Sequence, residues 1–310
     1  MAELDPKTTT LAGVFPVLPT PFDRHGQVDE AALRGLVRYL LHCGVDGLTY
    51  PGVASEVAQL TSAERTRLTA AVLDETAGRV PVIAGASSND AATTIGLARE
   101  AMARGAAALM IAVPPDRPSA EAQIDYYSEV ARAVPQADLM LQNVPLPVGA
   151  GLDPPAVLRV LAAVPSIRYV KEETLPSGQR LSLLRAQAPA SLLGVFGGAG
   201  GRYITDELRR GAAGTMPAIE LTELHVALFK AHRAGDDERV RALFTRMLPV
   251  LNVQAVFRWA LTKHVLQRRG LLACDLQRAP GPRLDALDSA DVDAFIDDLA
   301  DLLPAVDTLP

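Results

Sequence analysis

Lys171 closes a short apolar run, Ser166-Ile167-Arg168-Tyr169-Val170-Lys171, and Glu172-Glu173-Thr174 follow at once. Only four of the thirty basic residues are lysines. An ammonium at the end of a strand that reads as buried needs a reason, because desolvation is costly unless the charge is paired or neutralised. Desolvation also favours the free amine, the form that adds to a carbonyl to give an imine. The adjacent carboxylates can tune such an amine or accept a proton beside it. The blander reading is a lysine that snorkels out of the strand end to pair with Glu172 or Glu173.

A reactive lysine needs elements to hold it. Eight short apolar or β-branched runs recur along the chain: Ala12 to Leu18, Gly47 to Tyr50, Val80 to Gly85, Ala107 to Val113, Asp138 to Val144, Ile167 to Lys171, Ser191 to Phe196 and Gly214 to Pro217. Helical patterns lie between them. In Ala32 to Cys43, residues Leu33, Leu36, Val37, Leu40 and Leu41 share one face. Thr61-Ser62-Ala63-Glu64 is a capping box, and Asp153-Pro154 is a cap followed by a first-turn proline. Eight alternating strand and helix units predict an α/β fold, a (β/α)8 TIM barrel. An open doubly wound sheet would usually carry a glycine-rich phosphate loop after its first strand, where this chain has Pro16, Pro19 and Pro21. The expected organisation is a polar tail over 1–10, the barrel over 11–234 and a C-terminal helical extension over 235–310.

In such a barrel the site lies at the carboxyl ends of the strands. Alternation would put Ile167, Tyr169, Lys171 and Glu173 on one face, with Lys171 towards the axis and Glu173 above it. Neighbouring strand ends supply Pro51 to Glu56, Leu141 to Pro145 and Gly197 to Gly201, whose small residues leave backbone N–H groups open to a carboxylate.

Composition excludes several other classes. A net charge of −6 and the lack of a basic cluster argue against nucleic acid and anionic membrane as partners. No run is long enough to span a bilayer and Met1 to Thr10 lacks an apolar core segment, so a cytoplasmic protein is expected. Cys43 and Cys274 are too few for a disulfide framework, and the five histidines show no metal-ligand spacing, so no metal is expected and the histidines read as surface or helix-face residues. Phe257 and Trp259, flanking Arg258, read as core or interface packing.

Gly13 to Phe22, the Gly52 to Glu56 loop, Asn143-Val144-Pro145 and Val170-Lys171-Glu172 together resemble the dihydrodipicolinate synthase and N-acetylneuraminate lyase superfamily over nearly the whole chain. The resemblance implies a Schiff base between Lys171 and a pyruvate-like 2-keto acid, no cofactor, and a homo-oligomer, a tetramer or dimer. It also carries departures. Gln142 stands where a proton-relaying tyrosine is usual. The loop that usually reads Gly-Thr-Thr-Gly-Glu reads Gly52-Val53-Ala54-Ser55-Glu56, the arginine that receives a second substrate's carboxylate falls at Pro147, and the loop that often lends a tyrosine to a neighbouring subunit reads Pro114-Pro115-Asp116-Arg117-Pro118. These departures argue against the synthase of lysine biosynthesis. Phe15-Pro16-Val17, Ser55-Glu56, Gln142 and Lys171-Glu172-Glu173-Thr174 resemble in particular the L-2-keto-3-deoxyarabonate dehydratases of that superfamily.

An iminium at C2 of a 2-keto-3-deoxy sugar acid acidifies C3, so a base can start loss of the C4 hydroxyl. Aldol cleavage instead removes the C4 hydroxyl proton, which a glutamine cannot do. The expected catalytic set is therefore Lys171, Glu173 as base and Gln142 as an orienting hydrogen-bonder, with Gly52, Ser55, Glu56, Asn143, Gly197 and Gly198 holding the substrate. A class I aldolase, and a barrel that binds a keto acid without turning it over, are the alternatives.

Overall fold

The computed structural model describes residues 10–303, so all but Thr10 of the expected polar tail, and 304–310 of the extension, lie outside the described residues. The strands are β1 (Gly13–Val14), β2 (Leu48–Tyr50), β3 (Val82–Gly85), β4 (Ala108–Ala112), β5 (Leu139–Asn143), β6 (Ile167–Glu172), β7 (Gly194–Gly197) and β8 (Gly214–Thr215). The intervening helices are α1 (Glu30–Cys43), α2 (Ser62–Thr76), α3 (Ala91–Ala103), α4 (Ala120–Ala133), α5 (Pro154–Ala163), α6 (Ser177–Gln187) and α7 (Ile204–Arg209), and α8 (Thr222–Arg233) completes the ring. All strands are parallel in the order β1-β8-β7-β6-β5-β4-β3-β2. A parallel bridge between Val17 and Thr49 joins the ends, giving the (β/α)8 barrel.

Local chemistry starts the helices where the pattern required it. The side chains of Asp29, Thr61, Asp90, Ser119 and Asp153 accept backbone N–H bonds at the starts of α1 to α5, each worth ~1 kcal/mol. Thr61 and Glu64 form the reciprocal box expected of their spacing. The helices cover the sheet with one large apolar layer, and a smaller one fills the barrel: Phe15, Val17, Ile83, Met110, Met140, Tyr169, Phe196 and Met216. Leu11 N–H donates to the Tyr169 hydroxyl at 3.1 Å, fixing the chain across the amino-terminal end of the barrel.

The alternation expected for β6 breaks at one place. Leu139 pairs with Ile167 but the next residue, Met140, pairs with Tyr169, so Arg168 is an extra residue in a bulge. Ile167 consequently packs in the outer layer while Tyr169 lies inside. Beyond the bulge the period is regular, and it carries Lys171 inward and Glu172 outward.

After the barrel come α9 (Asp237–Phe257), α10 (Trp259–Arg268) and α11 (Ala286–Asp297). Among the described residues, no helix is long and apolar enough to cross a membrane. The segment following α10 turns back to the barrel mouth, where Arg278 pairs with Glu64 at 2.8 Å.

Candidate active site

A cavity of about 170 Å³ opens at the carboxyl ends of the strands, and Lys171 and Glu173 line it. At ~30 Å³ per liquid water that is room for roughly half a dozen waters, the scale of a small acid and not of a peptide. Lys171 is 4 % exposed. Its Nζ lies 3.2 Å from Glu173 Oε1. Three groups fix that carboxylate: the Lys171 ammonium, Gln142 Nε2, which donates to Oε2 at 2.7 Å, and Ala199 N–H, which donates to Oε1 at 3.1 Å. Burial alone would raise the Glu173 pKa, but these donors outweigh it and hold the carboxyl below its usual range. Glu173 is thus an ionised carboxylate beside an amine.

The other expected residues take different places. Gly198 does not line the cavity; a Cβ there would lie 2.6 Å from the Glu173 side chain, so its glycine leaves room for Glu173. Gly197 does the same for Glu207, whose Oε2 would be 1.8 Å from such a Cβ. Ser55 is fully buried, its Oγ donating to Leu18 carbonyl and accepting from Gly52 N–H at 2.9 Å, so the hydroxyl is used inside the loop. Gly52 packs against the barrel floor, where a Cβ would come 2.8 Å from Val17. Glu56 faces away from the cavity into a buried ion pair with Lys263 and accepts Ala279 N–H. Asn143, on the outward face of β5, grips both the N–H and the carbonyl of Leu152 and donates to Glu172, pinning the far end of the 144–152 loop. The side chains of Ser55, Glu56 and Asn143 are thus engaged within the protein and do not line the cavity.

Val53 and Ala54, which begin a single 3-10 turn, do line the cavity, and neither N–H bonds another described residue. Two adjacent free N–H groups at the start of a turn suit a carboxylate. The 144–148 segment forms the opposite wall. Further wall comes from Arg202, after β7, from Gln254 of α9, from Arg258 between the two helices and from Trp259 and Thr262 of α10. Sequence reasoning missed these, and Trp259 corrects the packing reading: its Nε1–H donates to Val53 carbonyl at 2.8 Å and holds the loop that presents the free N–H groups. Arg258, at φ 42° and ψ −106°, marks the break between α9 and α10. A buried histidine was also missed. His225 is fully buried, its Nδ1 bonded to Leu221 carbonyl at 2.9 Å, and burial lowers its pKa to about 4. Among the described residues no three His, Cys, Asp or Glu side chains gather as a metal site.

Behind Gly197, Glu207 is buried and accepts from Ser177 Oγ at 2.7 Å. Burial, with Glu173 nearby, pushes its pKa up to about 7. The folded protein therefore keeps a proton there that the unfolded chain has released between pH ~4.5 and ~7, so this group lowers stability as pH rises through that window. Glu207→Gln should raise the Tm at pH 8, by up to the equivalent of about 3 kcal/mol, and the two proteins should converge near pH 4.5. Parallel Tm curves between pH 4.5 and 8 would remove Glu207 from this account.

The chain has counterparts among known proteins. The Dihydrodipicolinate synthetase family matches it over residues 10–298. A 4-hydroxy-tetrahydrodipicolinate synthase from Thermus thermophilus is 35% identical over 277 residues, 87% of this chain and 90% of that protein. An L-2-keto-3-deoxyarabonate dehydratase from Azospirillum brasilense is 30% identical over 279 residues, 88% of this chain and 89% of that protein. A crystal structure of dihydrodipicolinate synthase from Rhodopseudomonas palustris superposes with a TM-score of 0.87 at 29% identity, covering 96% of this chain and 100% of that one.

Proposed function

Because the chain belongs to the dihydrodipicolinate synthetase family, we propose that it is a lyase that works through an imine on Lys171, and specifically a dehydratase of a 2-keto-3-deoxy sugar acid. The observation that carries the dehydratase reading is the Glu173 carboxylate, held ionised 3.2 Å from Lys171 Nζ, in a cavity that no tyrosine lines among the described residues. The dehydratase relative from Azospirillum brasilense is consistent with it.

The substrate carboxylate would sit on the N–H groups of Val53 and Ala54, bringing the 2-keto carbon to Lys171. The amine adds, water leaves, and the resulting iminium acidifies C3. Glu173 takes a C3 proton, and the electron pair released from the C3–H bond expels the C4 hydroxyl. Passing the same proton to that oxygen makes the leaving group water, so the elimination balances without another acid. In the unsaturated imine a C5 proton is acidified through the conjugated double bond; its loss and return of a proton to C3 give the C4–C5 enol, which ketonises to the aldehyde, and hydrolysis of the imine frees Lys171. Gln142 donates to the Glu173 oxygen remote from Lys171 and so aims the base. It is a positioning residue with no proton to trade. Aldol cleavage would need a base at the C4 hydroxyl, the step for which the cavity offers no phenol.

Products decide between the chemistries. A 2-keto-3-deoxypentonate should yield 2-ketoglutarate semialdehyde, whereas pyruvate plus an aldehyde would overturn the dehydratase reading in favour of an aldolase. Glu173→Gln should lower kcat by on the order of 10²–10⁴-fold, while borohydride still traps the substrate on Lys171. Trapping without any product in the wild-type protein would instead indicate a keto-acid-binding barrel.

A further inference from the structure

The 3-10 turn from Val53 to Ser55 is held differently at its two ends. At the far end the Ser55 carbonyl accepts from Thr20 Oγ1 at 2.7 Å, the Ser55 hydroxyl donates to Leu18 carbonyl, and Glu56 pairs with Lys263. Among the described residues Val53 and Ala54 have one hydrogen bond outside the turn, from the Trp259 indole N–H to the Val53 carbonyl at 2.8 Å. The second bond to that carbonyl, from Glu56 N–H at 3.1 Å, closes the turn on itself and fixes its shape without fixing its direction. The backbone that brings Trp259 there is strained. Arg258, with φ 42° and ψ −106°, lies outside the regions that side-chain-bearing residues favour, and α10 begins at the next residue, Trp259. Strain of this kind persists only where the surrounding structure enforces it, and it concentrates at sites that do work.

The Val53 carbonyl and the Ala54 N–H belong to one planar trans peptide, so they point in opposite directions. Tying the oxygen therefore aims the hydrogen. A carbonyl that accepts two donors also polarises its own peptide, which makes the Ala54 N–H a stronger donor to an anion. We propose that Trp259 is a positioning residue for the substrate carboxylate: its indole N–H aims the Ala54 N–H, and so sets how strongly the site prefers a keto acid to an uncharged ketone. Trp259 acts through the peptide and not on the reacting atoms. The inference rests on the imine reading of Lys171, and on Val53 and Ala54 as the seat of the carboxylate.

Pyruvate and hydroxyacetone test it, because both are small methyl ketones and only pyruvate carries a carboxylate. Each is titrated under borohydride, and the adduct on Lys171 is measured by mass spectrometry. Trp259→Phe should raise the pyruvate concentration for half-trapping about tenfold, the scale of one charge-assisted hydrogen bond. Hydroxyacetone trapping should stay as in the wild-type protein, which also shows that the variant is folded, and trapping at saturating pyruvate should be undiminished. Trp259 is the chain's only tryptophan. Production on benzothienylalanine therefore exchanges the indole N–H for sulfur at this position alone and keeps the ring's shape. That protein should match the phenylalanine variant. Unchanged pyruvate trapping in both altered proteins, equal weakening of both ketones, or a benzothienyl protein that behaves as wild type would overturn the inference while leaving the imine reading intact. Wild-type protein that traps hydroxyacetone as readily as pyruvate would remove the carboxylate seat, and this inference with it. The lack of any pyruvate adduct on the wild-type protein would instead overturn the imine reading itself.

Discussion

Lys171→Ala is expected to abolish the borohydride-stable adduct with any 2-keto acid and to lower kcat by at least about 10³-fold. The size of the effect follows from what the amine does. Without the imine, C3 of the substrate is acidified only by a ketone, and Glu173 faces a much weaker carbon acid. The same variant removes the ammonium that helps hold Glu173 ionised, since the two side chains are 3.2 Å apart. Removing its neighbour takes away the largest of the effects that oppose burial, so the Glu173 pKa rises in the variant and less of the base is ionised as the nucleophile is lost. The two losses are coupled, so kcat for Lys171→Ala combined with Glu173→Gln should fall little further than for Lys171→Ala alone. A fall equal to the product of the two single losses would show that they act separately. Adduct formation in Lys171→Ala would place the imine on another lysine.

Lys263→Ala carries the largest expected effect on stability. Glu56 and Lys263 are both buried, and the lysine also lies 4.2 Å from the Phe22 ring and donates to Leu276 carbonyl at 2.8 Å. Burial pulls the Lys263 pKa down and the Glu56 carboxylate opposes that pull. Removing only the cation strands a carboxylate away from water, at a cost of ~3–5 kcal/mol. A Tm lowered by on the order of 6–20 °C is the expected readout. The damage should reach the cavity, because Glu56 ends the same short segment whose Val53 and Ala54 line it. Converting both partners to apolar residues of similar volume should restore much of the loss. A Tm within a degree or two of wild type for Lys263→Ala would mean that the carboxylate is hydrated after all.

What could be read from the residues was what depends on near neighbours in the chain. The eight strands announced themselves as short apolar runs, the start of α2 by the Thr61 to Glu64 spacing, and Lys171 by being a rare cation beside two acids. Glu173 and Gln142 followed from alternation along β6 and from one departure in a family pattern, and the structure brings both to Lys171. Long-range events were hidden. Glu56 meets Lys263 across 207 positions and Trp259 meets Val53 across 206, and no local pattern marks either contact. Arg202 and Arg258 carry no local signature either, since an arginine after a glycine turn or between two helical patterns is ordinary. The bulge at Arg168 was equally invisible, since an extra residue leaves no signature in a run where both neighbours are apolar or aromatic. Ser55 and Asn143 illustrate a further blind spot. Their polarity pointed to a ligand, whereas the fold uses both to satisfy its own backbone.

The β2 loop is stitched to the last third of the chain by Trp259 below it and by Lys263 and Ala279 behind it. For anyone building chimeras among related barrels, this makes the loop and α10 with its trailing segment one cassette. Transplanting the loop alone would separate a buried acid from the cation that neutralises it here.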